Sequence, residues 1–299
     1  MDSMPTAAHR HAQRLVAALL VSLGILVAEL VAGLASNSLA LLADAGHVFA
    51  DVSGIAFALI AIRIAARPRT DERTFGLYRL EIVAAAANAI LLLGIAGFVF
   101  YEALRRLQSP PEIGANIVTV VAAAAVLANL VSVRILHSGQ GESLTIRGAY
   151  LEVLGDLFGA AAVLASGVVI LATGWLQADA IASMAVAILI VPRTLSLLRE
   201  SLDVLLEATP KGVDLDYVRR HILDAPGVHD VHDLHAWTIT SGMNVLSAHV
   251  VIGPDAQAGD VLDYLATCLS DDFDVKHSTF QLETPEHVVW EARAAERQH

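Results

Sequence analysis

The segment Ala43–Asp51 reads ADAGHVFAD and sets His47 and Asp51 four residues apart. On a helix that interval puts both side chains on one face. Further along, AYLEVLGD repeats the interval with Glu152 and Asp156. Two such helices packed face to face offer one imidazole and three carboxylates, a four-coordinate nitrogen and oxygen set of the kind that Zn²⁺ takes. The plainer alternative is that the four groups pair with one another or with water merely to hold the helices together. Both pairs sit in apolar runs, however, and an ionisable group at mid-bilayer costs about 2.5–3.5 kcal/mol even on lenient insertion scales. Four of them call for a compensating cation. Asp44 lies one turn before His47 and would either orient its ring or sit in water near the helix end. Glu29 and Asn88 are also polar at membrane depth, and would serve a proton path or only a helix contact.

The elements that position these groups follow from composition. Of 299 residues 56% are hydrophobic, and the mean hydropathy is +0.60. That is far above the range of a soluble domain. Apolar runs at about 14–34, 39–63, 82–104, 115–136, 148–172 and 179–198 each approach the ~20 residues a helix needs to cross the bilayer core. The first is too long for a cleaved leader and is expected to be retained. Six spans put both termini on one side. Arg10 and Arg14 precede the first, and Arg63, Arg67, Arg69, Arg73 and Arg79 crowd the second linker. By the positive-inside rule that side is cytoplasmic, although Arg105 and Arg106 fall on the other. The expectation is a multi-pass protein of the cell (inner) membrane, with an N-terminal segment 1–13, a six-helix domain 14–207 and a cytoplasmic domain 208–299.

Beyond Pro210 charged residues return and the apolar runs shorten. Leu215, Val218 and Ile222 have helical spacing, as do Val261, Leu262, Leu265 and Leu269. Strand-like stretches lie at about 228–240, 243–252 and 275–283. The order helix, strand, strand, helix, strand predicts a small α+β sandwich with both helices on one face of the sheet. His229, His232, His235, His249 and His277 fall in the strand region. In the second strand Leu246, Ala248, Val250 and Ile252 alternate toward a core, so His249 faces away from it. In the third, Phe280 and Leu282 face the core, so His277 and Glu283 lie opposite. His232, at the edge of the preceding strand, is a fourth candidate. A metal site and a merely solvated histidine face both remain open on this reading.

Other classes are excluded. The net charge of −12 opposes phosphate-backbone binding, so nucleic acid is not a partner. The lone Cys268 supplies neither an intrachain disulfide nor a thiolate cluster. No nucleophile stands beside a base in a recognisable motif, so the chain is not expected to be an enzyme.

Taken together, ADAGHVFAD (43–51), TFGLYRL (74–80), AYLEVLGD (149–156), ESLDVLLEATP (200–210) and HDLHAW (232–237) resemble the cation diffusion facilitators, most closely their cobalt/zinc/cadmium resistance branch. The resemblance spans nearly the whole chain. It implies a Y-shaped homodimer, six transmembrane helices per subunit, a ferredoxin-like cytoplasmic domain, and efflux of zinc-like divalent ions from the cytoplasm by metal/proton antiport. By motif position it makes His47, Asp51 and Asp156 transport ligands. Many zinc transporters of the family carry His where this chain has Glu152; Glu is expected to bind metal there, and its harder oxygen donor would admit Co²⁺ or Cd²⁺ beside Zn²⁺. The resemblance also implies regulatory Zn²⁺ at His232, His249, His277 and Glu283. The rival is a proton-coupled exporter of organic cations, which would use intramembrane carboxylates but would not need His47 four residues from Asp51.

Overall fold

The computed structural model describes residues 7–65, 68, 70–137, 144–240, 242–273 and 275–289. Arg67, Arg69 and the first residues of the N-terminal segment lie outside them. In chain order the elements are α1 (Ala7–Ser36), α2 (Leu39–Ala65), α3 (Leu80–Gln108), α4 (Ala115–His137), α5 (Leu144–Thr173), α6 (Gln177–Leu205), α7 (Leu215–Leu223), β1 (Val228–Thr240), β2 (Met243–Ile252), α8 (Ala258–Phe273) and β3 (Val275–Glu283). Every expected span is a helix. Five contain stretches long and apolar enough to cross a membrane: Val16–Ser36, Leu80–Gln108, Ala115–His137, Ala149–Thr173 and Gln177–Leu205. The sixth, α2, has 27 residues, which at ~1.5 Å per residue also exceeds the hydrocarbon thickness.

The chain divides into two compact units, one of residues up to Ile60 with Ala84–Leu198, the other of Ala61–Val83 with Arg199 onward. The linker between α2 and α3 thus groups with the tail. Arg79 Nη2 donates to Glu207 Oε1 at 2.7 Å, and Thr240 Oγ1 donates to Glu81 Oε2 at 2.6 Å.

Within the helical unit, α4 packs on α1 and α5. Lipid supplies no hydrophobic drive between helices, so close backbone approach through small residues does much of the work. Ala40, Ala89, Ala122 and Ala160 are fully buried. Gly159 of α5 lies so close to α2 that a Cβ there would come within 2.7 Å of Asp44 Oδ1. Gly54 of α2 abuts the Asn88 amide of α3 in the same way, at 2.8 Å. The start of α2 is fixed by Asp179 of α6. Its carboxylate accepts from Ser38 Oγ at 2.5 Å and from the Leu39 N–H at 2.8 Å, satisfying a donor that the first helical turn leaves orphaned.

In the other unit, Asp214 caps α7 by accepting from the Asp216 and Tyr217 N–H groups. The sheet order is β1-β2-β3. β1 and β2 form an antiparallel pair, and the crossover through α8 makes β2 and β3 parallel. Val218 and Ile222 of α7 and Val261, Leu265 and Leu269 of α8 share one core with Val231, Ala236, Leu246, Ala248 and Val250 of the sheet. Both helices therefore cover one face, as the element order requires. The register slips between His232, opposite His249, and His235, opposite Ser247. Asp233 and Leu234 of β1 thus face the single Ala248 of β2, and Asp233 takes up the extra residue at φ 51°. Without that bulge Val231 and Ala236, an odd number of residues apart, would point to opposite faces; with it both enter the core. The same shift puts His232 and His235 together on the other face.

Candidate metal centres

In the helical unit, α2 presents His47 and Asp51 one turn apart, and α5 brings Asp156 against them. His47 Nε2 lies 3.5 Å from Asp51 Oδ2 and 3.4 Å from Asp156 Oδ1. One ligand atom from each of the three falls within 4.8 Å of the others. His47 Nδ1, Asp51 Oδ2 and Asp156 Oδ1 are buried with no hydrogen-bond partner. Buried polar atoms are normally satisfied, and charged ones are expensive to leave alone. The two orphaned carboxylate oxygens converge on His47 Nε2, and a small divalent cation seated among those three atoms would satisfy both oxygens at once.

Glu152, the fourth expected ligand, is not in that trio. It lines the same cavity of about 390 Å³ as Asp51 and Asp156. Its Oε1 instead lies 3.4 Å from Nη2 of Arg193 on α6. Sequence reasoning missed Arg193. Its one signal was a lone arginine following Pro192 inside an apolar span.

Asp44 does not sit in water. It is 3% exposed, packed against Gly159, and its Oδ1 has no hydrogen-bond partner. His47 Nδ1 has none either, so the ring is not oriented by donating to Asp44 through that atom. Glu29 on α1 is equally buried, with both oxygens unpartnered.

The second cluster is on the sheet face opposite the helices. His232 Nε2 lies 3.1 Å from Glu283 Oε2, and His249 Nδ1 lies 2.8 Å from Glu283 Oε1. Gln281 Nε2 donates to the same Oε1 at 2.7 Å. The Glu283 side chain is almost wholly buried, which a carboxylate tolerates only with partners. His232, His249 and Glu283 have ligand atoms within 4.8 Å of one another, a donor set that suits Zn²⁺. His277 is not brought to them. It pairs with Val245, whereas His249 pairs with Gln281, so it lies four residues, roughly 13 Å, along the strand. Alternation gave the face of the sheet correctly and left position along it open. His235 flanks the cluster, its Nε2 3.0 Å from Asp233 Oδ1. That hydrogen bond holds the Asp233 carboxyl below the ordinary range.

Six membrane-length helices around a buried imidazole and carboxylate trio, followed by a helix-backed sheet bearing a second such trio, define a membrane protein built to handle metal ions. Residues 15–206 match the family described as the cation efflux transmembrane domain, and residues 210–285 match the cation efflux protein cytoplasmic domain. The chain belongs to the cation efflux family. It is 47% identical over 262 residues to the metal cation efflux system protein CzcD of Cupriavidus metallidurans, covering 86% of this chain and 82% of that one. Zinc transporter ZitB of Escherichia coli is 37% identical over 275 residues, covering 91% and 88%. A cadmium, cobalt and zinc/H⁺-K⁺ antiporter of Bacillus velezensis is 35% identical over 269 residues, covering 88% and 86%.

Proposed function

We propose that this protein exports zinc-like divalent cations from the cytoplasm in exchange for protons, through a site made by His47, Asp51, Asp156 and Glu152. The observation that carries the reading is the convergence of His47 Nε2 with two buried carboxylate oxygens that have no hydrogen-bond partner, Asp51 Oδ2 and Asp156 Oδ1, from α2 and α5. The names of the relatives, which speak of metal cation efflux, zinc transport and cadmium, cobalt and zinc antiport, support the same reading. Zn²⁺ is the expected substrate, with Cd²⁺ and Co²⁺ admitted by the oxygen-rich donor set.

Metal ligands bind in their deprotonated forms, so a cation arriving from the cytoplasm displaces protons from the trio. Protons arriving from the other side displace the cation. The two never share the site, and rocking of helices about a midplane site then couples their opposite movements. An organic-cation exporter would have no use for an imidazole converging with two carboxylates at ligand distance.

In this reading the termini are cytoplasmic, residues 14–207 carry transport in the inner membrane, and residues 208–299 form a metal-binding homodimerisation domain. His232, His249 and Glu283 hold a regulatory Zn²⁺ there. His277, distant from them in the same subunit, has no part in that cluster. Regulation requires that this ion bind one conformation of the subunit better than another.

Calorimetry of zinc binding to the full-length protein in detergent, in two buffers of different ionisation enthalpy, tests the transport site. The expected result is proton release at neutral pH and the loss of one zinc equivalent in Asp51→Ala. Unaltered stoichiometry and proton release in that variant would refute the assignment.

A further inference from the structure

Glu152 faces two ways. It lines the cavity that Asp51 and Asp156 line, yet its carboxylate is matched by Arg193, with Nη2 3.4 Å from Oε1. Arg193 follows directly on Pro192, which lies inside α6; proline removes a backbone donor and locally loosens a helix. The guanidinium is more than half exposed and Glu152 one-third exposed, so the pair is at the rim of the cavity and has room to open. A guanidinium stays charged at any working pH. It therefore neutralises a carboxylate without a proton, and it cannot leave with the cargo because it is covalently held.

We propose that Arg193 is a resident counter-cation that competes with the transported metal for Glu152. With His47, Asp51 and Asp156 unliganded, Arg193 pairs with Glu152 at the rim, where an unpaired carboxylate at membrane depth would be costly. A metal ion seated on the trio takes Glu152 as a further ligand only by displacing the guanidinium. The displaced pair re-forms as the ion departs, so Arg193 lowers the affinity of the site and speeds release. The idea rests on the reading of Glu152 as a transport ligand. It makes Arg193 a positioning residue that acts on the metal through Glu152.

The test is zinc transport by the full-length protein in vesicles for Arg193→Gln and Arg193→Lys, in the wild type and in Glu152→Gln, with zinc affinity of each variant measured by calorimetry. A partly exposed ion pair is worth enough to change affinity about fivefold. Arg193→Gln is expected to lower KM about fivefold and kcat by a similar factor, because a tighter site releases more slowly; kcat/KM then hardly moves. Arg193→Lys restores both, since a single contact needs only a point charge. In Glu152→Gln, Arg193→Gln has no further effect. A calorimetric affinity that Arg193→Gln leaves unchanged, or alters equally in Glu152→Gln, overturns the proposal while leaving Glu152 a ligand. Glu152→Gln with unaltered zinc affinity and KM would instead remove Glu152 from the ligand set, and this proposal with it.

Discussion

At the scale of single residues, chemistry is set by which buried atoms lack partners. His47, Asp51 and Asp156 were legible because two i, i+4 pairs of ionisable residues in apolar runs are too costly to keep without a function. The separate place of Glu152 was not legible, because its partner Arg193 lies on a third helix and spacing along α5 says nothing of α6. Asp233 shows the same limit in the sheet. Its hydrogen bond from His235, with the nearby His249 and His232 adding attraction, depresses its carboxyl pKa. A depressed acid contributes stability above its unfolded value of ~3.9 and loses it as pH falls through the folded value. Asp233 therefore stays charged at neutral pH. In a carbon-13 titration of the full-length protein its carboxyl should titrate below ~3.9, and His235→Ala should move it back toward that value. An unchanged titration would mean that the hydrogen bond is not what depresses it.

At the scale of elements, the helices and strands follow from periodicity, and the three strands fall at the bounds that alternation predicts. The bulge at Asp233 does not, since one extra residue in β1 leaves no mark in an alternating pattern until Val231 and Ala236 must both reach the core. Because Asp233 sits at φ 51°, Asn is tolerated there, whereas a β-branched residue is strained by about 1–2 kcal/mol. Asp233→Val should thus cut hydrogen-exchange protection of the β1 amides by roughly 5- to 30-fold, with Asp233→Asn near wild type. Equal protection in both variants would show that the bulge carries no backbone constraint. In the helical unit, Gly159 holds α5 against α2. Gly159→Val would push the two helices apart at Asp44, and zinc transport should fall while the variant still inserts and purifies as wild type does. Full activity would show that the close approach does not matter.

At the scale of the molecule, two clusters of candidate metal ligands lie in two separately compact units. The six-helix arrangement followed by an αββαβ domain was legible from hydropathy and the change of composition after Pro210. Assignment of the linker 61–83 to the second unit was not, because it depends on Arg79 meeting Glu207 and Thr240 meeting Glu81 across long sequence separations. If the second cluster is regulatory, His249→Ala should raise the zinc concentration at which transport switches on while leaving the transmembrane site able to bind. A threshold equal to the wild type's would remove that role.

In the proposed exchange, cation and proton exclude one another at the trio of α2 and α5. The most direct measurement follows zinc uptake and lumenal pH together in vesicles holding the purified full-length protein, for the wild type and for Asp156→Ala. Zinc flux with proton counterflow is expected in the wild type, and loss of both in the variant. Zinc flux in Asp156→Ala equal to the wild type's, or wild-type flux with no movement of protons, would contradict the proposed exchange.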